Sequence, residues 1–187
     1  MLRSLVGSEM CIRDSGMVVR KSFTSGQLRR YISFCFEGVV NLRRRLIRVY
    51  ADVENAVGMP PEKLRNHIQN NIGDASTNFA FLAKRNQDAL GEQWRAAGFQ
   101  ICLAGNEADS ADHRLIATMV RDIQQDSERG NPPGTLVLIA TGDGVYKDVL
   151  KLAERLGWQT IVIGWGNLSA TLIAAANESI NLAKCPS

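Results

Sequence analysis

Histidine and closely spaced cysteine are scarce in this 187-residue chain, which has two histidines and four well-separated cysteines (Cys11, Cys35, Cys102, Cys185). Without a Cys-x-x-Cys pair, a structural zinc cage and a disulfide framework are both disfavoured. Such cysteine usage suits a reducing compartment, so a cytoplasmic location is expected. No apolar run reaches the roughly 18–20 residues that span a bilayer, so no membrane partner is expected. One-sided charge is also missing. The net charge of +3 divides into +6 over residues 1–45, with nine Lys/Arg against three Asp/Glu, and −3 over residues 46–187, with 13 against 16. The bulk of the chain is slightly acidic, and whole-chain charge is weak support for nucleic-acid binding.

What is present is a regular alternation of strand and helix patterns from Leu46 onward. Residues 1–15 have neither periodicity and resemble a translated sequencing-adapter tract, so they are set aside. Residues 16–45, with Arg29-Arg30 and Arg43-Arg44-Arg45 around an apolar stretch, read either as a basic arm for phosphate backbones or as translated sequence upstream of the true start. The domain is expected over 46–183, with 184–187 as a tail. Strands are predicted at Leu46–Ala51, Asn78–Ala83, Phe99–Leu103, Leu136–Ala140 and Gln159–Ile163, with a short edge strand at Ser179–Leu182. Helices are predicted at Glu62–Ile72, Gln87–Ala97, Asp112–Gln125, Lys147–Leu156 and Ser169–Ala176. The expected fold is a three-layer α/β/α domain with a mostly parallel sheet of about five strands.

Ligands of such sheets bind outside the carboxyl ends of the strands. Asp52 ends the first strand, Asp143 follows the fourth in Thr141-Gly-Asp-Gly144, and Asp112 opens the helix after the third, with Asp109 just before it. If strands one and four are neighbours, three carboxylates share one crevice. Two carboxylates about 5 Å apart repel by about 3 kcal/mol at an effective dielectric of 20, so such a cluster shifts its pKa values or recruits a cation. Oxygen ligands without Cys or His select Mg2+ or Mn2+, which suits phosphodiester hydrolysis. Capping and the helix dipole are the ordinary explanation for Asp109, Asp112 and Asp143 taken singly. No such explanation covers Asp52. Phosphatases that use an aspartyl nucleophile want Asp-x-Asp where Asp52-Val-Glu54 stands. Receiver domains want a lysine where Gly164-Trp-Gly166 stands. Dinucleotide binding wants Gly-x-Gly-x-x-Gly after the first strand, and Gly142-Asp-Gly144 is neither placed nor spaced for it.

The segments Val49-Tyr-Ala-Asp52-Val-Glu-Asn55, Ala108-Asp-Ser-Ala-Asp112-His-Arg-Leu115 and Ala140-Thr-Gly-Asp143-Gly-Val-Tyr146, with the closing Val162 to Leu182, resemble the NYN domain of the PIN-like nuclease superfamily. The resemblance covers about residues 46–183. It implies a flavodoxin-like PIN fold and a Mg2+- or Mn2+-dependent ribonuclease. Asp52, Asp112 and Asp143 would match its metal-binding acids, and Asn55 its amide near metal or substrate. Three positions depart from the family pattern: Thr118, Val145 and Asn177 stand where acids are usual. The three core acids, with Asp109 in reserve, suffice for one ion. The alternative is therefore a weak or inactive module that binds RNA or a protein partner, with a homo-oligomer also open. Lys84, Arg85, Arg114 and Thr141 are candidate substrate contacts, though loop solvation is the commoner role of such charges. Trp94, Trp158 and Trp165 are expected to pack, and His67 and His113 are too isolated to be ligands. Glu54 is expected to point away from Asp52.

Overall fold

A computed structural model describes residues 46–56, 58–140, 142 and 144–184, and the backbone of Arg13–Asp14 and Met17–Val18. The chain divides into two units, residues 1–44 and 45–187. In the first, Arg13–Asp14 and Met17–Val18 pair as antiparallel strands. The adapter-like tract and the proposed basic arm otherwise lie outside the described residues, as do Thr141 and Asp143.

The second unit holds a six-stranded sheet, all parallel: β1 Ile47–Asp52, β2 Thr77–Ala83, β3 Gln100–Ala104, β4 Thr135–Ile139, β5 Gln159–Gly164 and β6 Glu178–Asn181. Their order is β3-β2-β1-β4-β5-β6. The chain builds outward from β1 in one direction and from β4 in the other, so the order reverses between β1 and β4. These two pair directly, Ala51 against Ile139. The expectation that strands one and four are neighbours is met, and the expected edge strand is the sixth.

Both faces are covered because both are apolar. In β1, Ile47, Val49 and Ala51 face a cluster that holds Leu64 and Ile68 of α1 (Pro61–Asn71) and Trp94 of α2 (Glu92–Ala96). On the other face, Tyr50 joins Leu115, Met119 and Ile123 of α3 (Ser110–Glu128), Val149 and Leu150 of α4 (Lys147–Arg155), and Leu172 of α5 (Ala170–Ala175). In α1, Pro61 supplies a first-turn residue whose missing N–H costs nothing. Trp94 and Trp158 pack as expected, both 3 % exposed, and Trp94 meets Phe99 edge-on.

One predicted helix is not a single α-helix. Residues 84–97 begin as a 3-10 turn over Lys84–Asn86, pass through a π turn over Gln87–Gly91, and become α-helical only from Glu92. Gly91, a poor helix former, closes the π turn against Leu82 of β2.

Candidate functional site

The side chains of Arg48, Tyr50 and Asp52 share the face of β1 that looks onto α3, since alternate strand residues point the same way. Helix α3 answers with a buried face of Asp112, Leu115, Met119, Asp122, Ile123 and Asp126. Strand and helix run in opposite senses, so Arg48 meets Asp126, Tyr50 meets Asp122, and Asp52 comes to the Asp112 end. That last meeting lies at the carboxyl end of the sheet, where the strand order reverses.

Asp52 is 1 % exposed and Asp112 9 %. The hydroxyl of Tyr146, itself fully buried, lies 2.7 Å from Asp52 Oδ2 and 2.7 Å from Asp112 Oδ1. Tyr146 reaches the pair from the 3-10 turn Gly144–Tyr146 that leads into α4. On the other side, Asn55 holds Asp52 twice: its side-chain amide donates to Oδ2 at 2.6 Å and its backbone N–H to Oδ1 at 3.2 Å. The Asp112 carboxylate is thus engaged by a side chain from another element, and the capping explanation does not account for it.

A phenol has one proton and touches two carboxylate oxygens here, so the second short contact needs a proton from the carboxyl side. Below about pH 6, Asp52 is suited to hold it. Burial pushes its carboxyl up to about 6, with the nearby Asp112 charge adding and the hydrogen bonds from Tyr146 and Asn55 opposing. Burial, then the charge of Asp52, raises Tyr146 far above the ordinary phenol range, so it remains a donor.

The other expected site residues separate into groups. Asp109 is exposed at the start of α3 in a left-handed conformation (φ 57°) and makes no capping hydrogen bond. Arg114 donates to the Leu103 carbonyl at the end of β3. Arg85 ties its N–H and guanidinium to the side chain and carbonyl of Asn106, which fixes the loop before α3. Lys84 is exposed beside it. Thr118 bonds back to the Arg114 carbonyl within the helix. Asn177 joins Thr160 and Glu154, at the amino ends of the last strands and opposite the acids. Sequence reasoning missed Tyr146 as a contact of the acids, having met it only as part of a motif. Glu54, expected to point away from Asp52, accepts from the N–H of Ala83, at the end of β2, at 2.9 Å and from the Asn86 amide.

Two buried carboxylates converging on one point, with no cation paired to them among the described residues, are suitable donors for a hard divalent ion. Asp143, the third acid expected here, lies outside the described residues. Among the described residues no group of three His, Cys, Asp or Glu could hold a metal.

A reversed-order parallel sheet covered by helices on both faces is consistent with a PIN-like topology. The chain belongs to the NYN domain family, whose model matches residues 46–183. Among solved structures it is similar to a protein of unknown function from Vibrio parahaemolyticus, at 16% identity and a TM-score of 0.57, covering 74% of this chain and 93% of that one. At that identity the likeness speaks for the fold alone. No curated protein matches the chain. No described helix is long and apolar enough to cross a membrane.

Proposed function

We propose that this chain is an RNA-binding NYN module whose acid crevice is closed by Tyr146, with slow or absent phosphodiester cleavage in that state. The observation that carries this reading is the single hydroxyl 2.7 Å from both Asp52 and Asp112. It occupies the point between two carboxylates that in a metal-dependent nuclease would face a cation. RNA as partner follows from the family, and the cysteine usage fits a cytoplasmic setting.

A second reading, a Mg2+- or Mn2+-dependent ribonuclease, is favoured by the convergence of Asp52 and Asp112 without a paired side-chain cation. In it, Asp52, Asp112 and Asp143 would hold the ion, with Asp109 as a further acid at the rim. Bound there, the ion would supply Lewis-acid polarisation of a phosphoryl oxygen and an activated water. Asn55 would keep Asp52 aimed through its two hydrogen bonds. Lys84 and Thr141 would touch substrate. Arg85 and Arg114 would shape the rim through the contacts they already make.

The two readings separate in one experiment. The chain is mixed with a pool of single-stranded and structured RNA in Mn2+, Mg2+ or EDTA, alongside Asp52→Asn and Tyr146→Phe. Retention of RNA without cleavage by the unmodified chain supports the closed module. Metal-dependent cleavage that Asp52→Asn abolishes overturns it in favour of the nuclease.

A further inference from the structure

Tyr146 ends the turn that reaches the acids, and the next residue, Lys147, opens α4. Lys147 and Lys151 are both exposed and, being four apart, lie one above the other on one face of that helix. They form one wall of a groove of about 420 Å³ whose other wall is Ala170, Thr171, Ala174 and Ala175 of α5. Those small side chains keep the groove open. Among the described residues neither lysine has an ion-pair partner. The one carboxylate between them in sequence, Asp148, lies about 100° further round the helix and does not line the groove. Glu154, further along α4, is engaged by Asn177.

The groove lies beside the turn that carries Tyr146 to the acids. A methyl group added at Gly144 would stand 3.2 Å from Thr171, so the turn carrying Tyr146 rests on the same α5 residue that lines the groove. A strand leaving the acids past Tyr146 would therefore enter between the two lysines and the alanine wall. Unpaired ammonium groups at a regular step match a phosphodiester backbone, and the small-residue wall offers no base-specific contact.

We propose that the α4–α5 groove, with Lys147 and Lys151 as phosphate contacts, is the track for single-stranded RNA leading away from the acid crevice. This rests on the RNA-binding reading above and assigns it a surface. Neutralising two phosphates on a single strand contributes about 1.4 to the slope of log affinity against log salt. The test is fluorescence anisotropy of the full chain with a labelled single-stranded oligoribonucleotide over a salt series. It compares the unmodified chain, Lys147→Ala/Lys151→Ala, Lys147→Arg/Lys151→Arg and the charge-matched Arg95→Ala/Arg129→Ala. The alanine pair is expected to bind at least tenfold more weakly at low salt with a salt slope smaller by about 1.4. The arginine pair and the charge-matched pair are expected to keep affinity within about threefold. If the unmodified chain binds and the alanine pair binds equally well with the same slope, the groove is not the track, although the RNA-binding reading stands. If the unmodified chain binds no RNA, both fall. An equal loss in both alanine pairs would reduce the effect to net charge and overturn the groove.

Discussion

At the amino end of β1, Arg48 lies against Asp126 of α3 at 2.7 Å and within 3.7 Å of Asp122, and Tyr50 donates to Asp122 at 3.0 Å. At its carboxyl end, Asp52 faces Asp112 of the same helix, with the Tyr146 hydroxyl between them. Each end has a tyrosine hydroxyl and two buried aspartates. Only one has an arginine. The charges at the amino end are neutralised within the protein, and the same contacts tie the strand to the helix. The charges at the carboxyl end are answered by hydrogen bonds and, below about pH 6, by a proton. Buried acids are unremarkable in themselves; those left without a protein cation are the ones available to a ligand.

The largest effect is expected from removing the cation that distinguishes the two ends. Arg48→Met would leave Asp122 and Asp126 buried with only Tyr50, Asn131 and the exposed Arg121 beside them. Breaking a buried pair from one side costs about 3–5 kcal/mol, so the midpoint of urea unfolding at pH 7 should fall accordingly. A loss below about 1 kcal/mol would mean that Arg48 behaves as a surface charge and that the two ends are not different in kind.

The opposite sign is expected at the other end. Asp52 titrates at about 6 in the folded chain against 3.8 in the unfolded one. Its contribution to stability is therefore complete below pH 3.8, declines as pH rises through about 6, and stays lost above it. At about 1.4 kcal/mol per pH unit, the penalty at pH 7–8 is about 3 kcal/mol at most. Asp52→Asn should thus stabilise the metal-free chain at pH 7.5 by about 1–3 kcal/mol, with the gain shrinking toward pH 4. Urea titrations at both pH values would show it. A variant less stable at every pH would show that Asp52 is a structural acid like Asp126.

This contrast was half legible in the sequence. The strands showed themselves as short apolar runs rich in β-branched residues, and the Asp52 and Asp112 positions followed from where those runs ended. Asp122 and Asp126 could have been read too. They fall on the helical stripe of Leu115, Met119 and Ile123, where an acid must be buried, and Arg48 alternates with Tyr50 on a strand whose inner face needs no charge. What spacing could not give was Tyr146. Its place between the acids depends on the angle at which the turn Gly144–Tyr146 enters α4, a tertiary matter that leaves no period in the chain. The π turn at Gln87–Gly91 was hidden for a similar reason, since its apolar spacing mimics an ordinary helix.

Tyr146→Phe takes away the hydroxyl that closes the crevice and keeps the ring in its buried place. The acids lose a donor, so unfolding should become easier by about 1 kcal/mol. The freed carboxylates should hold Mn2+ about 3–10-fold tighter, up to about 1.4 kcal/mol, measured by the fall in the free-Mn2+ electron paramagnetic resonance signal. Weaker or unchanged Mn2+ binding would mean that the hydroxyl does not compete with a cation, and the closed-module reading would lose its support.

The smallest effect concerns how Asp52 is aimed. The Asn55 side-chain amide and backbone N–H both favour the ionised carboxylate, and burial outweighs them. Asn55→Ala removes the amide and leaves the N–H, so the Asp52 pKa should rise above about 6 by a fraction of a pH unit, with stability at pH 7.5 lower by less than about 1 kcal/mol. Carboxyl carbon NMR titration would follow Asp52 directly. A rise confined to Asp52 means that the amide acts on that carboxylate alone. An equal rise at Asp112 would show that Tyr146 carries the change across and that the two acids titrate as one unit. A fall at Asp52 would mean that water had entered the crevice in place of the amide, and Asn55 would then be a seal and not a brace.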